Sequence, residues 1–331
     1  MDPLEPASFN HCFAHVNGIK LHYVDEGSGP TTVLCVHGFP DMWYGWRYQI
    51  PFLVSLGYRV IVPDMRGYGQ SDAPSDVSSY TAKNVVQDLV SLLDVVGVHK
   101  AVWAGHDWGG VHVWRAAMWH PERVAGVVSF CTPFAPTAPE MVPLAQTVAE
   151  KIPKWAYQLY FRRFESIAEL NKEIPLFMTA LLRTYDDMPG TSLFRPLDSL
   201  PIDQRTITDV RGISRNRLLS EQELQYYISE FSRNGMAGPT NYYRVQELTW
   251  QEEHDAGFCE NSINNKCMIV TAAYDKALPA SLTKSMEKFI PRLMRMHVED
   301  SGHWVLVEQQ AQANAALKLF LDSLTTDAAN L

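Results

Sequence analysis

No apolar run in this 331-residue chain approaches 18 residues, which excludes a helical membrane span. Positive charge is not in excess. Lys and Arg number 28 against 37 Asp and Glu, a net charge of −9, so the electrostatic footprint of a nucleic-acid binder is missing. Cysteine is scarce. The five cysteines (Cys12, Cys35, Cys131, Cys259 and Cys267) are odd in number, form no C-x-x-C, and three lie in apolar runs, so they read as reduced core thiols rather than disulfides or metal ligands. The opening segment MDPLEPASFN carries acids and no apolar h-region, so no secretory signal is expected and the chain reads as cytoplasmic. Internal repeats and low-complexity tracts are also missing. What is present is an ordinary globular balance, 46% hydrophobic and 20% charged, in a chain long enough for one large domain or two smaller ones.

The first 130 residues alternate short β-branched runs with helical patterns. Residues 12–25 predict a hairpin turning at Asn17-Gly18. TTVLCVHG (31–38), YRVIVPD (58–64), KAVWAGHD (100–107) and VAGVVSF (124–130) are continuous apolar runs of buried-strand type. Between them, residues 81–96 place Val85, Val86, Leu89, Leu92, Leu93 and Val96 at helical spacing before Gly97, and 111–120 predict a second helix. This alternation implies a parallel sheet covered by helices on both faces. The rhythm breaks at Pro133, Pro136, Pro139 and Pro143. From about 144 to 250 the patterns are helical without a clear strand, and seven of the 14 tyrosines lie there. Strands then return at 266–275 and 295–303, with helices expected at 279–290 and 305–324. The chain thus divides into a sheet domain built from residues 1–133 and 251–331, with a helical insertion at 134–250.

Parallel sheets place ligands at the carboxyl ends of their strands. The polar residues just past the predicted strands are His37, Asp64, Asp107, Asp275 and His303. Asp107 sits in Gly105-His106-Asp107-Trp108-Gly109-Gly110, where small neighbours permit a sharp strand-to-helix turn that thrusts the central side chain out of the sheet. The alternative is an aspartate that caps the following helix. Asp275 and His303 complete the order nucleophile, acid, base of a hydrolytic triad. Each has a bland counterpart: Asp275 as a turn or capping residue, His303 as a packing histidine. The remaining histidines show no ligand spacing, and His37 reads as a hydrogen-bonding part of its loop.

HGFPDMWYGWRYQIP (37–51), DMRGYGQSDAP (64–74), GHDWGG (105–110), TPF (132–134), YQLYF (157–161), NYYR (241–244) and DSGHW (300–304) together resemble a soluble epoxide hydrolase of the α/β-hydrolase superfamily, over about residues 10–322. The resemblance implies the α/β-hydrolase fold, with the helical insertion as a cap. It implies Asp107 as nucleophile, Asp275 as triad acid and His303 as base. It further implies that Tyr157 and Tyr243 hold the epoxide oxygen, and that the backbone N–H groups of Phe39 and Trp108 form the oxyanion hole. Tyr242 stands where relatives often carry Trp, so two adjacent tyrosines compete for the second cap position. The N-terminal phosphatase domain of mammalian relatives is expected to be absent. No cofactor or metal is implied. The expected partners are a small-molecule epoxide and water, and the expected state is a monomer or homodimer.

An aspartate nucleophile suits this chemistry. Attack on an ester would give a reactive mixed anhydride, whereas attack on saturated carbon gives an ordinary alkyl ester and divides one hard step into two. The epoxide oxygen leaves as an alkoxide unless donors stabilise it, and phenols with ordinary pKa near 10 remain protonated donors at neutral pH. Phe39, Trp108, Phe134 and Tyr243 are expected to line an apolar substrate pocket. A haloalkane dehalogenase shares the Asp and Trp108 but usually has Asn or Glu where Phe39 stands. A fluoroacetate dehalogenase needs arginines where this chain has Trp108 and Val111. A hormone receptor on this fold resembles serine hydrolases at the elbow, against which Asp107 argues.

Overall fold

The computed structural model describes residues 1–187, 207, 212–215, 217–259 and 261–329, so the part of the predicted helical insertion at 188–206 and 208–211 lies outside the described residues. Eight strands form one sheet in the order β1-β2-β4-β3-β5-β6-β7-β8. They are β1 (His11–Val16), β2 (Ile19–Glu26), β3 (Thr32–Val36), β4 (Arg59–Pro63), β5 (Ala101–His106), β6 (Val124–Phe130), β7 (Cys267–Ala272) and β8 (Leu293–Val298). β1 and β2 form an antiparallel hairpin whose turn residues Asn17 and Gly18 take φ of 45° and 80°, as a tight two-residue turn requires. β2 also pairs antiparallel with β4, and every pairing from β4 to β8 is parallel.

Burial explains the strand sequences. β3, β5 and β7 are buried at every residue, which is why they read as unbroken apolar runs, whereas edge strand β1 mixes exposed and buried positions. Helices α1 (Gln49–Ser55), α2 (Ala82–Val95) and α3 (Trp108–Trp119) connect the first strands. α2 begins where the Thr81 hydroxyl accepts the Asn84 N–H and ends before Gly97 at φ 72°. Seven helices then lie between β6 and β7 among the described residues: α4 (Leu144–Glu150), α5 (Ala156–Arg162), α6 (Glu165–Lys172), α7 (Ile174–Leu181), α8 (Glu221–Asn234), α9 (Ala237–Arg244) and α10 (Gln246–Asp255). α8 carries a complete capping box, Ser220 with Glu223.

Three expectations need correction. The helix expected at 111–120 starts at Trp108, immediately after the turn at Asp107. The helix expected at 279–290 is instead two short 3₁₀ turns, Ala280–Thr283 and Met286–Lys288. Arg295 on β8 donates to the Thr283 carbonyl at 2.6 Å, occupying the acceptor that a continuing α-helix would offer to residue 287. The last helix breaks at Gln309 into α11 (Val305–Glu308) and α12 (Gln310–Ala329). All five cysteines are free. Among the described residues no helix is long and apolar enough to cross a membrane.

Candidate active site

The carboxyl ends of β3, β4, β5, β7 and β8 carry the polar residues that the sequence singles out. After β5 the chain turns through Asp107 at φ 53° and ψ −123°, a backbone conformation rare outside glycine and costly unless its surroundings fix it. The surroundings do so. A Cβ at Gly105 would lie 2.4 Å from the Gly109 carbonyl oxygen, and one at Gly109 would lie 2.0 Å from the Val36 carbonyl oxygen. The Thr132 hydroxyl donates to the Asp107 carbonyl at 2.7 Å. The Asp107 side chain makes no capping hydrogen bond to α3, so the capping alternative does not describe it. Instead Oδ1 accepts the Phe39 backbone N–H at 2.7 Å, and Oδ2 lies 3.5 Å from His303 Nε2.

His303 Nδ1 faces Asp275 Oδ2 at 2.9 Å, and Asp275 Oδ1 accepts the N–H groups of Ala277 and Leu278 at 2.8 Å each. Burial alone would depress the His303 pKa, but the charges and hydrogen bonds of Asp275 and Asp107 outweigh it and raise it well above the ordinary imidazole value. Burial likewise opposes ionisation of Asp275, yet His303, the Leu278 N–H and the Cys131 thiol hold its carboxyl below the usual range. Three residues that the sequence reading missed fix the His303 loop. His106 Nε2 contacts the His303 carbonyl at 2.7 Å, and the Cys131 thiol approaches the same oxygen at 3.8 Å. The Glu308 carboxylate accepts the N–H groups of Gly302 and Trp304 at 3.2 Å and of Tyr185 at 3.1 Å. A Glu at the end of a one-turn helix carries no local signal for this, because its partners are donors elsewhere in the fold.

The other candidates divide between site and scaffold. His37 Nδ1 donates to the Gly38 carbonyl and Nε2 accepts the Met65 N–H, both at 2.9 Å, and burial pulls its pKa down, so it is a neutral loop support. Asp64 is buried against His22, Trp43 and Gln70. Tyr157 on α5 and Tyr243 on α9 face cavities that Asp107 also lines. Burial, with the Asp107 charge adding to it, pushes the pKa of both phenols up, which keeps them protonated. The Trp108 indole packs edge-on against the Tyr243 ring, centroids 5.2 Å apart, and Gln158 Nε2 approaches the Tyr157 oxygen at 3.5 Å. Tyr242 turns the other way and donates to the Arg66 carbonyl at 3.0 Å. Of the adjacent pair, Tyr243 is therefore the one that faces the cavities beside Asp107. Tyr160 donates to Glu169 at 3.0 Å.

Two cavities share Asp107, Tyr157 and Tyr243. One also touches Leu181, Tyr185, Tyr274, Lys276 and Trp304. The other, about 220 Å³, touches Trp155, Gln158, Gln246 and Leu278. Phe39, Trp108 and Tyr243 contribute to these walls as expected. Phe134 does not: it packs on Trp114 and Phe289 in the core, ring centroids 5.9 and 6.2 Å apart, while its neighbours Pro133 and Ala135 take the wall positions.

A mostly parallel eight-stranded sheet with an acid thrust out on a strained strand-to-helix turn, faced by a His–Asp pair, defines an α/β hydrolase, and the sequence pattern of the family described as alpha/beta hydrolase fold matches residues 31–310. The chain is 39% identical over 317 residues to bifunctional epoxide hydrolase 2 of Rattus norvegicus, an alignment covering 95% of this chain and 56% of that protein. It spans a little over half the length of such mammalian relatives. To epoxide hydrolase A of Mycobacterium tuberculosis it is 35% identical over 323 residues, covering 93% of this chain and 96% of that one. The crystal structure of epoxide hydrolase A from Mycobacterium thermoresistibile superposes with a TM-score of 0.84 at 32% identity, covering 95% of this chain and 98% of that chain. Within the α/β hydrolases, the chain belongs to the epoxide hydrolase family.

Proposed function

We propose that this protein adds water to an epoxide and releases a vicinal diol, through a covalent ester on Asp107. One observation carries the reading: a carboxylate held between the Phe39 N–H and His303 Nε2 opens onto cavities overlooked by the phenols of Tyr157 and Tyr243. In the first step Asp107 attacks a ring carbon, the C–O bond breaks, and the departing oxygen takes a proton from Tyr157 or Tyr243. The Tyr157 oxygen also accepts from Gln158 Nε2, and a donor whose oxygen also accepts is a stronger donor.

In the second step His303 takes a proton from water, which attacks the ester carbonyl. The Phe39 N–H, already on Oδ1, stabilises the oxyanion together with the Trp108 N–H, one of the first N–H groups of α3 that lack an intrahelical partner. Esterification supplies the trigger. It removes one of the two negative charges that hold His303 protonated, so the imidazole loses its proton more readily when a base is needed. Collapse of the tetrahedral intermediate expels the second diol oxygen, which takes from His303 the proton that came from water, and leaves one water oxygen in Asp107; the proton that His303 gave up on esterification returns the phenolate to a phenol.

The same reading takes residues 1–133 and 251–331 as the catalytic core and 134–250 as the lid that supplies the phenols. Nucleophile, base and acids are all side chains, so the route requires no cofactor. We further infer a cytoplasmic enzyme, monomer or homodimer, acting on small apolar epoxides, which the free cysteines and the aromatic cavity walls support. The test is a single turnover in ¹⁸O-water with enzyme in excess. Unlabelled diol and a heavy Asp107 peptide are expected, and label in the first-turnover diol means direct attack by water.

A further inference from the structure

His112 has no part in that mechanism, yet it stands close to it without partners. It lies on α3 one turn beyond Trp108, is 2% exposed, and neither Nδ1 nor Nε2 has a hydrogen-bond partner among the described residues. A buried, unpaired polar group is costly, so such a group facing a cavity points to something that binds there. His112 faces a cavity of about 210 Å³ that Asp107 does not line. Trp108, Val111, Arg115 and Gln246 border both this cavity and the larger of the two beside Asp107.

The walls narrow the ligand's chemistry. His112 stacks on the Trp108 indole, centroids 6.3 Å apart and 27° from parallel, and Tyr242 meets it edge-on at 5.5 Å. The other polar groups are engaged. Tyr242 donates to the Arg66 carbonyl, Trp250 Nε1 donates to the Ala138 carbonyl at 2.8 Å, and Arg115 is paired with Glu253 through two hydrogen bonds. Burial, reinforced by the Arg115 charge, pulls the His112 pKa down to about 3, so the imidazole is neutral and offers one donor and one acceptor. A carboxylate or phosphate, which only accepts, leaves half of that capacity unused and also meets Glu253. A hydroxyl on an apolar skeleton both donates and accepts.

We propose that this cavity is an accessory binding site for a neutral, hydroxyl-bearing apolar molecule, held by His112 between the aromatic walls of Trp108 and Tyr242. The hydroxyl has two sources. It belongs to a remote arm of the epoxide, in which case the proposal rests on the epoxide reading, or to a separate alcohol, the diol product included. The probes are 2-naphthol and 2-methylnaphthalene, alike in shape and different in the hydroxyl. In titrations of the full-length protein followed by tryptophan fluorescence, H112L should weaken naphthol binding by about three- to tenfold, the span of one neutral hydrogen bond. Methylnaphthalene should bind as well or better.

Equal changes for both probes overturn the proposal and leave the cavity with water only. A second measurement needs no variant: naphthol should shift the His112 Cε1–H resonance of the wild-type protein more than methylnaphthalene does. An unmoved resonance overturns the proposal. The source is read from kcat/KM for an aryl epoxide carrying a terminal hydroxyl against its methyl-capped analogue. A ratio that falls three- to tenfold in H112L, about one hydrogen bond again, assigns the site to the substrate's own arm. An unchanged ratio beside weakened naphthol binding assigns it to a separate alcohol. Failure of the epoxide reading itself looks different, since no epoxide then yields diol while the naphthol preference persists.

Discussion

Replacing both Tyr157 and Tyr243 by Phe tests the ring-opening step most directly. The substitution removes two hydroxyls and keeps two rings. Tyr243 retains its ring contacts with Phe39 at 5.0 Å and with Trp108 and Phe161 at 5.2 Å, so the aromatic packing survives. The structural cost is small, chiefly the Gln158 amide left without its Tyr157 acceptor, on the order of 1 kcal/mol. The catalytic cost is larger. One donor aimed at a developing oxyanion contributes about a hundred- to a thousandfold in comparable sites, about 3–4 kcal/mol. Because both phenols serve one oxygen, each single variant should fall at or below that range while the other phenol compensates, and the double variant should lose well over a thousandfold, beyond that single-donor figure.

The loss must fall on ester formation alone, since hydrolysis of the ester uses His303 and water. Stopped-flow quenching of tryptophan fluorescence in single turnovers separates the steps, with Trp108 adjacent to Asp107 as the reporter. Thermal unfolding checks the fold. A double variant that forms the ester within threefold of the wild-type rate refutes the reasoning, as does a loss confined to ester hydrolysis.

Three further expectations follow from the same geometry. Titrated by NMR in the resting enzyme, His303 should show a pKa above that governing ester hydrolysis, because esterified Asp107 no longer supports its charge; identical values would contradict the proposed trigger. Stability should fall as pH drops from about 6.5 toward 5: His106 and His112, held down to about 4 and 3 chiefly by burial, stay neutral while the unfolded chain takes up protons, costing up to about 2 kcal/mol per imidazole across that interval. His303, raised when folded, contributes a constant amount below about 6.5 and loses it only as pH rises, so urea midpoints that stay level between pH 6.5 and 5 would contradict this account. Gly109→Ala should lower the melting temperature and reduce ester formation at least tenfold, about 1.4 kcal/mol, because its Cβ meets the Val36 carbonyl at 2.0 Å; a normal rate of ester formation would show that the turn at Asp107 tolerates displacement.

The expectations that came through intact depend on neighbours in sequence. β3, β5 and β7 are buried on both faces and read as apolar runs, and α2 carries its own cap and stop. The glycines around Asp107 announce the turn because close backbone approach excludes a Cβ. The expectations that failed depend on partners distant in sequence. The helix expected at 279–290 yields to a hydrogen bond from Arg295, and Phe134 packs in the core on Trp114 and Phe289, both distant in sequence.

The amino-acid order by itself determined the sheet, the interruption by helices, and the sequence Asp107, Asp275, His303 at strand ends, since period, turn chemistry and spacing act over a few residues. Tertiary structure alone decided which tyrosine of an adjacent pair faces the cavity. Successive helical residues point about 100° apart, and only packing against Arg66 on one side and Phe39 on the other sets which way α9 is turned. It also decided that His112 lies buried without a hydrogen-bond partner among the described residues and that Glu308 ties the His303 loop to Tyr185, because hydrogen bonding across elements has no local signature in the chain.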